Sequence, residues 1–191
     1  MLFRSIFPFV KTDNKKTLKS ISQVSGNLDI IVSESKRLAT LINDVLDISK
    51  MEAGKIEWKN VALSIRDIIE QAAAATIPLF KQKDIKLIYD IDDRLPMITG
   101  DKDRLIQVII NLLSNAVKFT DQGSVTCKAA LKNNEIILSV IDTGAGIDKK
   151  DHASIFEKFK QAGNTLTDKP SGTGLGLTIC RQIVEHHGGK I

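Results

Sequence analysis

Cysteine is scarce in this sequence. The 191 residues include two cysteines, Cys127 and Cys180, whose spacing matches neither a disulfide framework nor a metal site. Disulfide-stabilised folds and cysteine-ligated zinc are therefore excluded. Each cysteine lies in a segment with apolar patterning, so we predict two small buried thiols in a reducing compartment.

A long apolar run is also missing. Residues 1–10 are apolar, but Arg4 and Pro8 interrupt them, and they fall far short of the ~20 residues that a membrane-spanning helix needs. They also lack a signal-peptide cleavage site. We therefore predict no membrane span and interpret residues 1–17 as a tail or a truncated remnant.

Charge of neither sign dominates. The sequence has 27 basic and 23 acidic residues, and its lysines are scattered along the chain. Nucleic acid is therefore not an expected partner. Hydrophobic residues at 42% and charged residues at 26% are typical of a folded globular chain. The length allows one domain of ~100–150 residues with an appendage.

A first long helix is predicted from a heptad pattern. No proline occurs between Leu18 and Lys50, and the pattern stops at residues 52–54. The positions of the seam are Ile21, Val24, Leu28, Ile31, Ser35, Leu38, Ile42 and Val45. Such a seam needs partner helices, so we predict a dimerisation-bundle helix at 18–54 and a homodimer through 18–50. The alternative is a helix that packs on its own domain.

Shorter elements predict one domain at 55–191. Ser64 and Asp67 have the spacing of a capping box for a second helix, with an apolar stripe at Ile65, Ile68, Ile69, Ala72 and Ile77. Further elements are a strand at 85–91, a helix from Asp101 to Phe119, strands at 125–131 and 136–142 around Asn133–Asn134, and a helix at 177–187 ended by Gly188 and Gly189. We predict an α+β fold, a two-layer sandwich of helices and a mixed, mostly antiparallel sheet, preceded by the long amphipathic helix.

The Asp101 helix carries a polar face. Asn111, Asn115 and Lys118 recur at i, i+4 and i+7 and so share one face, while apolar residues make another. Asparagine is a poor helix former, so two of them within a helix indicate a function for their side chains. An amide oxygen suits magnesium and a lysine can neutralise phosphate. The alternative is a solvated helix face.

Two glycine clusters follow. In the first cluster, Asp142 ends a strand and is followed by Gly144 and Gly146. A carboxylate at this position can accept hydrogen bonds from an exocyclic amine. Glycines have no side chain, so their backbone can approach a flat ring such as adenine. The alternative is a simple Asp-Gly turn. The second cluster, Gly172 to Gly176, precedes the last helix, where backbone amides and a helix N-terminus suit phosphate.

The region between these clusters, residues 144–171, shows little periodicity and is predicted to be a mobile lid. Two other phosphate-binding classes are excluded. The second glycine cluster lacks the Gly-Lys-Ser/Thr ending of a P-loop. It also lacks the preceding strand and the following acidic residue of a dinucleotide fingerprint.

Together, four ordered motifs resemble those of sensor histidine kinases. Residues 111–120 resemble the family's N box and residues 142–147 its first glycine box. Residues 155–159 resemble its F box and residues 172–177 its second glycine box. Residues 33–54 also resemble the second helix of that family's dimerisation bundle. The resemblance covers residues 20–191 and implies a histidine kinase ATPase-like fold with ATP and Mg²⁺ as cofactors.

The resemblance implies roles for single residues. Asn115 would ligate magnesium, Lys118 would contact phosphate, and Asp142 would hold the adenine amino group. Phe156 and Phe159 would anchor the lid, the alternative being ordinary core residues. The implied ATP-binding residues are Asn111, Asn115, Lys118, Asp142, Gly144, Gly146, Ile147, Phe156, Phe159, Gly172, Thr173, Gly174, Leu175 and Gly176.

Asn111 favours a kinase over a hydrolase. Gyrase-like ATPases share the Asp-x-Gly-x-Gly pocket but carry a glutamate one helical turn before the magnesium asparagine. An amide cannot take a proton from water, so hydrolysis by general base catalysis is disfavoured. Transfer to a histidine needs no such base, because neutral imidazole is already nucleophilic.

Two features of the family are not found. The phosphoacceptor histidine, followed by an acidic residue and a proline, is missing; His152, His186 and His187 are interpreted as solvated residues or helix-end caps. Family members also continue beyond this chain's final residues with two strands, so we expect a fragment without its last strands.

The resulting prediction is a histidine kinase ATP-binding fragment that phosphorylates a histidine on another chain. The alternatives are a catalytically silent ATP-binding and dimerisation module and, less favoured, a gyrase-like ATPase. Expected partners are a response regulator or the histidine-bearing domain of an intact kinase. A cytoplasmic location is expected, with the cytoplasmic part of a membrane-bound sensor as the alternative.

Overall fold

The computed structural model describes residues 14–161 and 172–191, with side chains from Gln23 onward. The fold is α+β, as predicted. Its helices and strands are α1 (Asn14–Glu52), β1 (Asn60–Leu63), α2 (Ile65–Lys83), β2 (Lys86–Ile91), β3 (Ile98–Asp101), α3 (Lys102–Phe119), β4 (Ser124–Lys132), β5 (Glu135–Asp142), a 3₁₀ turn (Lys149–Asp151) and α4 (Gly176–His186). Within these ranges no helix combines the length and apolarity needed to cross a membrane.

Helix α1 begins four residues before the predicted range of 18–54 and ends two residues before the end of that range. The chain divides into two compact units between Thr40 and Leu41, so the C-terminal end of α1 belongs to the second unit. The predicted functional division at residues 17 and 54 remains a prediction. Seam residues such as Leu28 and Ile31 are 55% and 60% exposed, whereas Ile48 is buried within the second unit.

Helix α2 begins where the predicted cap places it. The Ser64 hydroxyl accepts a hydrogen bond from the Asp67 N–H over 3.3 Å. Four of the five predicted stripe residues are buried, but Ile77 is 39% exposed and its assignment was wrong. The buried face continues from Ala72 through Thr76 and Phe80 at the helical interval of four residues. Thr76 can occupy it because its hydroxyl donates to backbone carbonyls of the preceding turn.

A small antiparallel sheet of β1 and β3 was not predicted. Asn60 pairs with Asp101 and Leu63 with Ile98. Each strand has four residues, too few to show a period, and β3 includes Gly100, a residue that is uncommon in strands.

The larger sheet confirms the other predicted strands, with β4 between β2 and β5. β4 and β5 are antiparallel and joined by a turn in which Asn133 and Asn134 have φ of 51° and 65°, as a two-residue hairpin requires. β2 is parallel to β4, so the sheet is mixed.

One face of this sheet forms the main core with α2 and α3. Val125, Cys127 and Ala129 alternate along β4 and are buried. They pack with apolar residues of both helices, including Ile69 and Leu113. This packing fixes α3 against the sheet, and α3 carries the predicted polar face.

A second apolar cluster joins α4 to α3 and to the end of α1. Ile48 of α1 and Val108 of α3 pack against Leu175, Ile179 and Ile183. Cys180 belongs to the same cluster, and the prediction of two buried thiols is confirmed. Burial raises the pKa of Cys127 to about 11 and that of Cys180 to about 12, so both thiols stay neutral.

Candidate functional site

Helix α3 presents its polar residues along one face. Asp101 caps the helix by accepting the Arg104 N–H over 3.2 Å. On other parts of the helix surface, Leu113 is buried in the main core and Val108 in the second apolar cluster. This burial sets the rotation of α3 about its axis and leaves Asn111, Asn115 and Lys118 half-buried.

The second glycine cluster lies along this polar face. The Asn111 Nδ2 donates to the Gly176 carbonyl over 3.4 Å, which ties α3 to the first residue of α4. At the other end, a Cβ on Gly172 would lie 3.1 Å from the Lys118 Nζ. The structure therefore brings together the predicted amide face, the predicted phosphate lysine and the N-terminus of α4.

The first glycine cluster contacts the C-terminal end of α3. A Cβ on Gly144 would lie 2.2 Å from the Phe119 carbonyl oxygen, so only glycine fits there. The Ala145 N–H donates to the same oxygen over 3.4 Å. Asp142 Oδ1 accepts the Gly144 N–H over 2.9 Å, while the Asp142 side chain is on the surface. Gly146, with φ of 73°, and the exposed Ile147 complete the turn.

The F-box phenylalanines contact α4 and the second glycine cluster through their backbone. The Phe156 carbonyl accepts the Thr178 hydroxyl over 3.0 Å, and the Phe159 N–H donates to the Gly174 carbonyl over 3.0 Å. Phe159 is 62% exposed, so the alternative of an ordinary core residue is wrong for it. Residues 162–171 of the predicted lid lie outside the described residues.

Thr173 has a partner on α1 that the sequence analysis did not identify. Its hydroxyl donates to Asp44 Oδ2 over 2.9 Å and accepts the Leu175 N–H over 3.3 Å. Burial raises the pKa of Asp44, although the hydrogen bond from Thr173 opposes the shift, and the nearby Asp47 adds to it. A carboxylate thus lies beside the glycine cluster.

Asp47, one helical turn later, holds the start of α3. It pairs with Arg104 at 2.8 Å and accepts from Gln107 over 3.3 Å. Burial acts to raise the pKa of Asp47, but the hydrogen bonds from Arg104 and Gln107 lower it overall. In the sequence, the three-residue spacing of Asp44 and Asp47 places two acids on one helix face. Such pairs are common on solvated helix faces, so this spacing does not predict the contacts with Thr173 and Arg104.

The three histidines lie at the surface or at helix ends, but His187 does more than end α4. The Asp101 N–H donates to its Nε2 over 2.9 Å, and its Nδ1 lies 2.7 Å from the Ile183 carbonyl. Because Nε2 is the acceptor, Nδ1 is assigned as the donor to the Ile183 carbonyl. His186 stacks on Trp58 at 3.7 Å, and His152 Nε2 contacts the Ile147 carbonyl at 3.0 Å.

The donor set suits a magnesium ion held mainly by a nucleotide. Residues 14–161 and 172–191 contain no group of three or more His, Cys, Asp or Glu side chains that could hold a metal. Magnesium commonly takes one or two protein oxygens and completes its shell with phosphate and water. Asn115, between Asn111 and Lys118, offers such an oxygen.

Comparison with known proteins agrees with this geometry. Residues 100–191 match the model of the histidine kinase-, DNA gyrase B- and HSP90-like ATPases. The sensor protein GacS of Pseudomonas syringae pv. syringae is 36% identical over 170 residues, which are 86% of this chain and 19% of GacS. This chain thus spans a small part of that relative.

Two solved structures share the fold. Full-length ShkA in complex with AMPPNP has a TM-score of 0.74 and 32% identity, covering 86% of this chain and 34% of ShkA. The histidine kinase ThkA in complex with the response regulator TrrA has a TM-score of 0.68 and 23% identity, covering 87% of this chain and 45% of the other. Residues 100–191 therefore belong to the histidine kinase-, DNA gyrase B- and HSP90-like ATPases, and 86% of the chain is similar to a segment of a sensor histidine kinase.

Proposed function

We propose that this chain binds Mg-ATP and transfers the γ-phosphoryl group to a histidine on another polypeptide. The observation that supports this most is the position of α3 between the two glycine clusters. Asn111 and Lys118 face the second cluster, and the Phe119 carbonyl contacts the first. One helix thus sets the distance between an adenine site and a phosphate site.

In this proposal each group has one task. The exposed carboxylate of Asp142 accepts from the adenine amino group, and Gly144 and Gly146 let the ring approach the backbone. Lys118 and the N-terminus of α4 neutralise the phosphates. The Asn115 oxygen is the protein ligand of Mg²⁺, and the ion supplies charge neutralisation on the phosphates when bound.

Phosphoryl transfer breaks the bond between the γ-phosphorus and the bridging oxygen and forms a bond to an imidazole nitrogen. ADP leaves, and the imidazole loses its N–H proton to solvent. None of the three histidines in the sequence is followed by the acidic residue and proline of the family's acceptor, so in this proposal the acceptor lies outside these 191 residues. Asn111 donates its amide to Gly176 and offers no base for water, which argues against a gyrase-like hydrolase.

The proposed partners follow from this chemistry. They are the histidine-bearing bundle domain of an intact kinase, or a response regulator like the one bound to ThkA. We also propose a cytoplasmic location, or the cytoplasmic part of a membrane-bound sensor. The exposed seam of α1 supports a homodimer through residues 18–50.

Nucleotide titration tests the site. We expect a fluorescent ATP analogue to bind in the presence of Mg²⁺. Its affinity should fall at least about tenfold when Mg²⁺ is left out, and also in Asp142→Ala and in Asn115→Ala, since each change removes a charged or metal contact. Glu135→Ala is the matched control, because Glu135 is an exposed acid at the other end of β5. Unchanged affinity in both site variants would contradict the pocket assignment.

A second assay separates the kinase from a catalytically silent module. The chain is mixed with γ-labelled ATP and a histidine-bearing bundle domain, and acid-labile phosphate is measured on the bundle. The kinase proposal expects label that Asp142→Ala abolishes. If ATP binds but no label appears, the silent ATP-binding and dimerisation module is the correct alternative.

A further inference from the structure

The C-terminal turn of α3 is the part of the site with the most demanding hydrogen-bond requirements. The last four carbonyls of a helix have no partner within it. In α3 they belong to residues 116–119, in the same turns that carry Asn115 and Lys118. The helix ends at Thr120 in an extended conformation, without the left-handed glycine that often caps a C-terminus. Partners must therefore come from elsewhere.

Each carbonyl of this turn has an identifiable partner. The buried Thr120 hydroxyl donates to the Ala116 carbonyl over 2.7 Å. The Ala145 N–H, in the first glycine cluster, donates to the Phe119 carbonyl. The remaining two carbonyls, of Val117 and Lys118, accept from the Lys83 Nζ over 3.0 and 2.9 Å, and Nζ also donates to the carbonyl of the C-cap residue Thr120 over 3.0 Å.

Lys83 is itself held in place by buried neighbours. It is the last residue of α2, and the next residue, Asp84, adopts a left-handed conformation with φ of 55°. On either side, Phe80 and Ile85 are 4% and 5% exposed and are joined by a 3.0 Å backbone hydrogen bond. The ammonium group can thus hold the end of α3 in a defined position. Its positive charge also interacts favourably with the negative end of the helix dipole at the C-terminus of α3.

We infer that Lys83 is a positioning residue for nucleotide binding: by holding the α3 C-terminal turn, it fixes Asn115 and Lys118 relative to the adenine turn at Asp142–Gly146. This inference rests on the proposed function, because it concerns the same ATP site. Lys83 itself does not touch the nucleotide. Its effect is transmitted through the Phe119 carbonyl, which contacts Gly144 and Ala145.

The test compares Mg-ATP with adenosine in four proteins: the unchanged chain, Lys83→Met, Lys83→Arg and Lys81→Met. Lys83→Met keeps the apolar stem and removes the donors, and we expect Mg-ATP affinity to fall about tenfold. Adenosine affinity should change by less than about threefold, because adenosine makes no phosphate contact. Lys83→Arg should restore most of the ATP affinity. Lys81 is an exposed lysine in the same turn of α2, and Lys81→Met should leave both affinities unchanged.

The outcomes are separable. Titrations are made well below the melting temperature, so that a change in stability alone does not alter the folded fraction. Unchanged ATP affinity in Lys83→Met, or an equal loss for both ligands, would overturn the positioning role and leave the proposed function intact. No ATP binding by the unchanged chain would overturn the proposed function first. If Lys83→Met does not fold, Lys83→Gln replaces it under the same criteria.

Discussion

At the scale of single residues, Gly144 has the tightest steric requirement in the candidate site. We expect Gly144→Ala to destabilise the chain by about 1–3 kcal/mol, because its new methyl group would overlap the Phe119 carbonyl oxygen. ATP affinity should fall with it. The measurement is urea denaturation followed by circular dichroism, together with nucleotide titration.

Gly26→Ala is the control for this variant. Nothing lies within 4 Å of a Cβ on Gly26, which is in the middle of α1. Alanine there should be neutral or stabilising by up to about 1 kcal/mol, because it is the better helix former. If Gly144→Ala resembled Gly26→Ala in both assays, the close contact between the turn and α3 would not exist in solution.

The hydrogen bond between His187 and Asp101, the N-cap residue of α3, can also be tested by stability measurements. We expect His187→Leu to cost about 1–3 kcal/mol, since it leaves the Asp101 N–H without its acceptor. His152→Leu is a suitable control, because His152 is exposed and its ring contacts one surface carbonyl. Equal denaturation midpoints for the two variants would show that the His187 bond contributes nothing.

The stability that the Asp101 carboxylate contributes to the fold is expected to depend on pH. Burial acts to raise its pKa, but backbone N–H groups of Lys59 and Arg104 hydrogen-bond the carboxylate and lower the pKa below 3.8. A lowered pKa means that the charged form stabilises the fold above pH 3.8 and that this contribution is lost as the pH falls through the folded-state pKa. Asp101→Asn, which mimics the protonated form, tests this.

At pH 7 we expect Asp101→Asn to be less stable than the unchanged chain by about 1 kcal/mol. The difference should disappear at acid pH, where both side chains are neutral. Unfolding free energies at a series of pH values give the answer, with Asp93→Asn as a surface control. A difference independent of pH would contradict the assigned cause.

At the scale of elements, the end of α1 is held to α3 by the half-buried Asp47–Arg104 pair. We expect Asp47→Ala to cost about 1.5–3 kcal/mol, because charge-assisted hydrogen bonds are lost and Arg104 keeps no partner on α1. Lys150→Ala, which breaks an exposed pair with Asp148, should cost less than about 1 kcal/mol. Equal costs would mean that the contact with α1 adds nothing to stability.

The comparison of predicted with observed helices and strands shows which elements can be predicted from the sequence. Long periodic helices and the β4–β5 hairpin were predicted because their patterns repeat over many residues or end in Asn-Asn turns. β1 and β3 were missed because four residues show no period. Thr173–Asp44 and Asp101–His187 join positions far apart in the chain, and no local pattern encodes them. The motif residues could be predicted, but their supporting partners could not.

At the scale of the whole molecule, the exposed α1 seam predicts self-association. Leu28 and Ile31 are more than half exposed, as expected for residues that face a second copy. We expect Leu28→Lys to convert a dimer into a monomer in analytical ultracentrifugation, with ATP affinity unchanged. Ser33→Lys, at an outward heptad position, should remain dimeric. A monomeric unchanged chain would refute the homodimer.

The stacking of Trp58 on His186 has a practical use. Trp58 is the only tryptophan in the sequence, so all indole emission from the chain comes from this one place. Its ring lies parallel to the His186 imidazole at 3.7 Å and meets the edge of His187. Emission intensity and wavelength therefore report whether the segment after α1 remains against the end of α4. The molecule carries its own optical probe, which needs no dye and can follow this junction while nucleotide is added.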